Sequence, residues 1–199
     1  MTANPLVIVL HGPSGVGKDT VIEALGARTG IRRATSSTTR APRDNEKHGI
    51  DYYFLSEEEF LRKVDAGAFA EHAVVYGDLK GLERIEIEGP LDRGEDVIIR
   101  TNVEGAETWR ERLEGAVFIF LRAEDREALR ARLIARGSED GESLVRRLAE
   151  LERELADVEN NDYVVVNHRG RLSEAVDEIV DIIVREQQAP ARPAARLRD

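Results

Sequence analysis

A glycine-rich stretch, Gly12–Lys18, constrains the fold of this chain more than any other part of its sequence. It follows the apolar run Leu6–Leu10, which has the length of a strand, and it precedes Thr20–Leu25, whose apolar positions recur at helical spacing. A strand, a glycine-rich turn and a helix in this order form a phosphate-binding loop, because backbone N–H groups turn inward and the helix start adds positive charge. The stretch therefore predicts an α/β fold with a nucleotide site.

The residue after the loop lysine departs from the usual pattern. Lys18 supplies a positive charge for the outer phosphates, and the pattern normally continues with Ser or Thr, whose hydroxyl holds Mg²⁺. Here Asp19 takes that place, and the hydroxyl of Thr20 lies one residue, or about 100° of helical turn, further on. Because Mg²⁺ accepts carboxylate oxygens readily, we predict Asp19 as its ligand. The predicted ATP-binding residues are Gly12, Pro13, Ser14, Gly15, Val16, Gly17, Lys18, Asp19 and Thr20.

Composition excludes several classes of function. At 199 residues the chain suits one domain, and its formal net charge of −10 argues against a general nucleic-acid or membrane-surface partner, which requires a basic face. The absence of cysteine excludes disulfides and thiolate metal sites. No apolar run approaches the roughly 20 residues that span a bilayer, and the first residues lack the features of a signal peptide. We therefore expect a cytoplasmic protein.

Apolar runs of strand length recur along the chain and predict a parallel sheet. Helical patterns separate these runs, and strands that alternate with helices form a parallel sheet covered on both faces. Residues 36–82 interrupt the alternation with short strand patterns, and within them Ser56–Glu59 is typical of a helix N-terminus. This segment predicts a small α+β insertion. The four apolar runs are residues 6–10, 97–99, 116–121 and 163–166.

Two further segments complete the predicted organisation. Residues 128–158 are almost entirely charged and helical in pattern, which alone is typical of a solvated surface but beside a nucleotide predicts a helical lid. Residues 187–199 are rich in Ala, Pro and Arg without an apolar face, and they predict a disordered tail. The core domain then comprises residues 1–35, 83–127 and 159–186.

A second anion site is predicted at Ser36–Arg43. This stretch holds four hydroxyls and two guanidiniums within eight residues, and the planar forks of Arg40 and Arg43 suit phosphate oxygens. Pro42 stiffens the segment that presents them. Alone, the stretch is equally typical of a surface turn. Behind a phosphate loop, it favours a site for a second phosphorylated molecule.

At these residues the chain resembles the guanylate kinase family. Gly12–Lys18 resembles the ATP loop of that family, and Ser36–Arg43 resembles its GMP-binding segment. The resemblance implies an α/β P-loop kinase with a parallel core sheet flanked by helices, a small α+β acceptor-binding insertion and a helical lid. It covers roughly residues 6–185, and its other matching stretches are Asp51–Phe54, Glu57–Phe60, Phe69–Glu71, Arg136-Gly137, Arg147-Leu148 and Val164–Asn167.

The resemblance also implies a reaction and the residues that carry it. The reaction is the phosphorylation of GMP to GDP with ATP and Mg²⁺, a step of purine metabolism. The expected enzyme is a monomer or homodimer. Its expected partners are nucleotides, and neither nucleic acid nor membrane. The GMP phosphate is implied to be held by Arg40, Arg43 and Tyr52. Guanine is implied to be contacted by Ser36 and Glu71. The transferring phosphoryl group is implied to be stabilised by Lys18, Arg136 and Arg147.

Departures from the family's pattern cluster on the acceptor side. The second tyrosine of Tyr-Gly-Asn-x-Tyr-Gly, which contacts phosphate, is Lys80 here, and the hydroxyl residue that follows is Leu82. The family's Asp-x-Asp-x-Gln-Gly has Arg100 and Asn102 in place of both carboxylates. An amide has one acceptor and a donor pair, so Asn102 predicts weaker guanine selectivity. Lys80, Arg100 and Asn102 are further predicted acceptor contacts, and Gly89-Pro90 is predicted to interrupt the helix before this strand.

Two alternatives to GMP phosphorylation stay open on the sequence alone. Lys80 and Arg100 suit an acceptor with more negative charge, such as ribose 1,5-bisphosphate, and the third possibility is a non-catalytic guanylate-kinase-like binding module. A separate hypothesis concerns charge balance. Asp19 adds a negative charge to the ATP loop and Arg100 adds a positive one at a strand end, so we predict that the two side chains face each other across the site.

Overall fold

The computed structural model describes residues 4–75, 77–124, 161–189 and 192–198, and it confirms the predicted α/β class. The strands are β1 (Val7–His11), β2 (Arg32–Arg33), β3 (Ser37–Thr38), β4 (Tyr53–Phe54), β5 (Phe69–Val75), β6 (Asp78–Glu83), β7 (Val97–Arg100), β8 (Leu113–Glu114), β9 (Val117–Ala123), β10 (Tyr163–Asn167) and β11 (Arg196–Leu197). The helices are α1 (Lys18–Thr29), α2 (Glu57–Asp65), α3 (Ile85–Asp92), α4 (Val103–Arg112) and α5 (Leu172–Gln187).

A five-stranded parallel sheet forms the centre of the molecule, in the order β10-β9-β1-β7-β2. The four apolar runs of the sequence are confirmed as β1, β7, β9 and β10. The edge strand β2 was not predicted, because two consecutive arginines carry no apolar signal. Since β1 lies at the middle of the sheet, the phosphate loop that follows it opens between the carboxyl ends of two neighbouring strands, where parallel sheets bind ligands.

The core packs against both faces of this sheet. Ile8 and Leu10 of β1 pack with α1 and α5 on one face, whereas Val7 and Val9 pack with α3 and α4 on the other. This division follows the two-residue period of a strand. Trp109 of α4 is 2% exposed and belongs to the second face, so it is a core residue.

A second, four-stranded sheet in the order β4-β3-β6-β5 lies within residues 37–83. It is mixed: β3 pairs in parallel with β4 and antiparallel with β6, and β5 and β6 form an antiparallel hairpin. Helix α2 begins at the predicted signal, because the Ser56 hydroxyl accepts a hydrogen bond from the Glu59 N–H at 3.1 Å. The stretch predicted as an insertion therefore carries a sheet and a helix of its own.

Two predictions about where regular structure is lost are wrong. Pro90 does not interrupt its helix: it lies inside α3, which ends two residues later, so the missing N–H affects only the last turn. The residues predicted as a disordered tail are ordered at 192–198, where β11 pairs antiparallel with β8. The side chains of Ala195 and Leu197 pack against the core, which supplies the burial that the composition of this segment did not indicate.

The predicted lid at residues 128–158, with Arg136 and Arg147, lies outside the described residues and stays a prediction. Among the helices that the structure does describe, none combines the length and the apolar character needed to cross a membrane.

Candidate active site

The glycines of the phosphate loop are required by its backbone and its packing. Gly12, Gly15 and Gly17 have φ angles of 144°, 82° and 99°, a region that L side chains rarely adopt. A Cβ at Gly12 would overlap the Leu121 carbonyl oxygen of β9, and one at Gly17 would lie 2.6 Å from Asn167 Nδ2 of β10. The loop therefore lies directly against β9 and β10.

Lys18 points back into this loop. Lys18 is buried, with 8% of its surface exposed. Its Nζ donates hydrogen bonds to the carbonyl oxygens of Gly12 at 2.5 Å and Pro13 at 2.9 Å. Asn167 Nδ2 donates to the Val16 carbonyl oxygen at 2.8 Å and fixes the other side of the loop. The loop thus surrounds a buried ammonium group, which is the arrangement that binds the outer phosphates of a nucleotide.

The predicted pairing of Asp19 with Arg100 is confirmed. Arg100 Nε lies 2.6 Å from Asp19 Oδ1, and its Nη2 donates to Oδ2 at 2.9 Å. Arg33 Nη1 lies 3.8 Å from the same carboxylate. The pair forms because β7 runs beside β1, so that Arg100 at its carboxyl end reaches the first turn of α1. Two guanidiniums around one carboxylate leave the edge of the phosphate loop positively charged, although it carries an acidic residue.

The same geometry tests whether Asp19 suits a metal ion. Both oxygens face Arg100, yet the side chain is 58% exposed, and each carboxylate oxygen has a further lone pair for a cation. Among the described residues there is no group of three or more His, Cys, Asp or Glu side chains that would hold a metal ion unaided. Mg²⁺ at nucleotide sites commonly uses one or two carboxylates, with phosphates and water completing the shell, so a single carboxylate fits.

The acceptor segment has its own charge network. Arg40 Nη2 donates to both carboxylate oxygens of Glu46, at 2.8 and 2.9 Å, and the guanidinium lies 5.6 Å from the ring centroid of Tyr52 and 5.8 Å from that of Phe54. Glu46 also accepts a hydrogen bond from the backbone N–H of Arg43. This bond and the Arg40 guanidinium hold the pKa of Glu46 below its usual value. Two of the predicted phosphate contacts, Arg40 and Arg43, are therefore joined at one carboxylate, and the third, Tyr52, lies beside the Arg40 guanidinium.

The two predicted guanine contacts lie on the same small sheet. Ser36 is half-buried immediately before β3, and its carbonyl oxygen accepts from the Tyr53 N–H of β4 at 2.9 Å. Glu71 lies on β5 opposite Leu82 of β6. Burial raises the pKa of the Glu71 carboxyl, and the positive charge of Arg112 partly opposes this effect. Glu71 is thus a partly shielded carboxylate beside a fixed cation, which suits the recognition of a neutral hydrogen-bond donor.

The residues that depart from the family's pattern do not share one environment. Leu82 is 2% exposed and packs in the core with Val9 and Ile87, so no polar contact replaces the lost hydroxyl. Asn102 caps α4: its Oδ1 accepts from the Gly105 N–H at 2.9 Å, which commits its acceptor oxygen to its own helix. Lys80 lies on β6 between Thr38 of β3 and Ala73 of β5.

Three charged residues of this region were not predicted from the sequence. Glu46 follows Arg43 by three residues, a spacing that suggests a turn, and the backbone hydrogen bond between them confirms such a turn. Arg33 and Arg112 reach the site only because β2 joins the central sheet and α4 ends beside β5. No local pattern marks either of these arginines.

Comparisons with known proteins place the chain in one family. The model of the guanylate kinase family matches residues 4–186. Guanylate kinase 2 of rice, described as chloroplastic/mitochondrial, is 43% identical over 185 residues, which are 92% of this chain and 65% of the rice protein. The guanylate kinase of Symbiobacterium thermophilum is 44% identical over 96% of this chain and 90% of its own length. The crystal structure of guanylate kinase from Anaplasma phagocytophilum superimposes with a TM-score of 0.74 at 32% identity, and the match covers 96% of this chain and 90% of that one.

Proposed function

The chain belongs to the guanylate kinase family, and we propose that the site described above transfers the γ-phosphoryl group of ATP to GMP, which yields ADP and GDP. The observation that carries the proposal is the phosphate loop, whose glycines accept no side chain and whose Lys18 lies buried against its backbone. A non-catalytic module that binds a protein partner and no nucleotide would not need to retain the loop glycines or the buried lysine. The non-catalytic alternative is therefore not favoured.

On the donor side, the chain positions phosphates and neutralises their charge. Phosphoryl transfer requires little covalent chemistry from the protein, so these two tasks account for most of the catalysis. The backbone N–H groups of Gly12–Lys18 bind the β- and γ-phosphates, and the ammonium of Lys18 reaches the oxygens that gain charge during transfer. Mg²⁺, when bound, neutralises the same oxygens, and Asp19 is the side chain that would hold it.

On the acceptor side, the chain binds a phosphate and reads a base. Arg40, Arg43 and Tyr52 hold the GMP phosphate, and for this Arg40 exchanges the carboxylate of Glu46 for phosphate oxygens. No general base is required, because an oxygen of the acceptor phosphate is already a nucleophile.

Two side chains of the small sheet select guanine over other bases. Glu71, as a carboxylate, accepts hydrogen bonds from N1–H and from the 2-amino group of guanine, and the Ser36 hydroxyl contacts the same edge. Asn102, with its oxygen used as a helix cap, presents only N–H donors toward a ligand, and these suit the acceptors O6 and N7 rather than N1–H. Glu71 consequently provides most of the selectivity for guanine.

The remaining parts of the proposal concern the lid, the partners and the location. Arg136 and Arg147, outside the described residues, are proposed to approach the transferring phosphoryl group when the lid closes. We further propose that the protein acts in the cytoplasm as a monomer or homodimer, with nucleotides as its partners and no binding to nucleic acid or membrane. The formal net charge of −10 supports the last point.

The decisive experiment is a coupled ADP-release assay with ATP and Mg²⁺ and a panel of acceptors. The panel contains GMP, dGMP, IMP, AMP, UMP and ribose 1,5-bisphosphate, and a Lys18→Met variant controls for contaminating kinases. We expect turnover with GMP and dGMP, weak turnover with IMP and none with the others. Turnover with ribose 1,5-bisphosphate alone, or with no acceptor while ATP still binds, would overturn the proposal.

A further inference from the structure

The backbone of β5 is irregular at the point where it carries Glu71. Phe69 and Glu71 pair with consecutive residues of β6, so that Ala70 is the extra residue of a bulge. A bulge bends its strand and re-aims the side chain beside it. Across the hairpin, a Cβ at Gly81 would lie 2.7 Å from the Glu71 carbonyl oxygen and 2.8 Å from Phe69 Cδ1. The direction of the Glu71 side chain is therefore set by a tightly packed bulge rather than by a regular strand.

Arg112 holds this bulge from the central part of the molecule. It is the last residue of α4, and its Nη1 donates a hydrogen bond of 2.6 Å to the carbonyl oxygen of Ala70. Ala70 is 3% exposed, so its carbonyl oxygen has little access to water, and a buried acceptor without a donor is costly. The same guanidinium favours the ionised form of the neighbouring Glu71. Arg112 thus acts on Glu71 both through the backbone and through its charge.

The end of the chain in turn holds Arg112. We call residues 192–198 the C-terminal strap. The backbone N–H of Arg198 donates to the Arg112 carbonyl oxygen at 2.8 Å, directly beside the pairing of β11 with β8. Further along the strap, Arg192 donates to the carbonyl oxygen of Ala116 at 2.9 Å and pairs with Glu186 of α5. These contacts anchor the strap at both of its ends.

We propose that Arg112 is a positioning residue for the guanine-reading carboxylate of Glu71, and that the C-terminal strap keeps Arg112 in place. The inference rests on the proposed function, because it assumes that Glu71 contacts guanine. Guanine presents two donors, N1–H and the 2-amino group, whereas hypoxanthine lacks the second. A carboxylate that is aimed correctly accepts from both donors, so the aim of Glu71 determines how well the enzyme distinguishes GMP from IMP.

The first test replaces Arg112 and measures kinetics with GMP and IMP. Arg112→Met removes the donor to Ala70 and the charge, and we expect the KM for GMP to rise roughly tenfold, the KM for ATP to stay within about twofold, and the preference for GMP over IMP to fall. Arg112→Lys keeps a charged donor and should restore most of the loss. Arg110→Met is the matched control: it lies on the same helix, but its guanidinium stacks 4.2 Å from the Phe118 ring and donates to Asn161. We expect it to lower thermal stability without changing the GMP-to-IMP preference.

The second test separates the strap from the side chain of its last residue. Arg198→Pro removes the N–H that bonds to Arg112, and the extended conformation that a proline demands of the preceding residue is compatible with β11. Arg198→Ala keeps that N–H. We expect Arg198→Pro to raise the KM for GMP about threefold and to lower the GMP-to-IMP preference, whereas Arg198→Ala should match the unmodified enzyme.

The outcomes distinguish this inference from the proposed function. If the unmodified protein turns over GMP but Arg112→Met leaves both the KM for GMP and the GMP-to-IMP preference unchanged, the inference is wrong and the function stands. Equal losses toward ATP and GMP would show that Arg112 only stabilises the fold, which also refutes the inference. If the unmodified protein does not use GMP at all, the proposed function itself has failed.

Discussion

Two arginine–carboxylate pairs flank the proposed path of the phosphoryl group, and they are built differently. Arg100 and Asp19 are 81 residues apart in the chain and meet because β7 lies beside β1. Arg40 and Glu46 are six residues apart and belong to one loop. The first pair is therefore a property of the central sheet, whereas the second forms locally.

The side chains of the Asp19–Arg100 pair are the more exposed of the two, but the segments that carry the pairs differ in how firmly they are packed. The donor loop is packed against the ends of β9 and β10, and its Lys18 is 8% exposed. In the acceptor segment Arg43 is exposed and Arg40 is only partly buried. We infer that the donor side is preorganised by the core before any ligand arrives, whereas the acceptor side exchanges an internal carboxylate for the phosphate of its substrate. The predictions below test this contrast.

The largest effect is expected at the donor loop. Lys18→Met should lower kcat/KM by about a thousandfold, because the buried ammonium is the group that neutralises the transferring phosphoryl oxygens. Lys80→Met is the matched control on the acceptor side, and it should raise the KM for GMP by about threefold with kcat and the KM for ATP unchanged. The contrast fails if both variants reduce the same kinetic constant to a similar extent.

The next effect concerns the long-range pair. Arg100→Asp places a second carboxylate beside Asp19 and should lower kcat/KM by about a hundredfold, whereas Asp19→Ser combined with Arg100→Asp should recover at least tenfold of that loss. The double-mutant cycle should give a coupling free energy of about 1–2 kcal/mol. Because the two side chains are 58% and 36% exposed, the free energy of unfolding should change by less than about 1 kcal/mol. Independent effects of the two substitutions on the rate would contradict the pairing as a functional unit.

A smaller effect is expected at the local pair. Glu46→Gln removes the charge that competes with the phosphate for Arg40, so the KM for GMP should fall about threefold while the KM for ATP stays constant. Glu57→Gln, a change at an exposed carboxylate of α2, serves as the control and should alter neither constant. A rise in the KM for GMP would show instead that Glu46 preorganises Arg40 for the phosphate, which contradicts the proposed exchange.

The smallest effect is a pH dependence of GMP binding. Burial raises the pKa of Glu71, and Arg112 of α4 opposes it, while Leu82, the residue opposite Glu71 on β6, carries no charge. A raised pKa means that Glu71 takes up a proton at a higher pH than an ordinary glutamate, so affinity for GMP is lost as the pH falls through that value. At the pKa half of the carboxyls are protonated, and the KM for GMP should be about doubled. The acidic rise in KM should be absent in Glu71→Gln and should begin at higher pH in Arg112→Met.

Local patterns predicted the parts of the molecule whose structure is set by near neighbours. The apolar run before Gly12 became β1, and Ser56 became the cap of α2. The same approach was wrong for Pro90 and for residues 192–198. In those places packing against the core outweighed the local preference, as tertiary contacts do when a segment has little intrinsic tendency of its own.

The sequence by itself determined the central elements of this protein: a phosphate loop between a strand and a helix, a parallel sheet and an acceptor segment with two arginines. Its departures from the family's pattern also predicted that Asp19 and Arg100, which carry opposite charges, face each other across the site. Only the tertiary structure decided the other contacts over long distances, namely Arg112 with the β5 bulge and the C-terminal strap with Arg112. The reason is physical: strand and turn signals arise between residues a few positions apart, whereas the order of strands in a sheet brings distant residues together and leaves no local pattern behind.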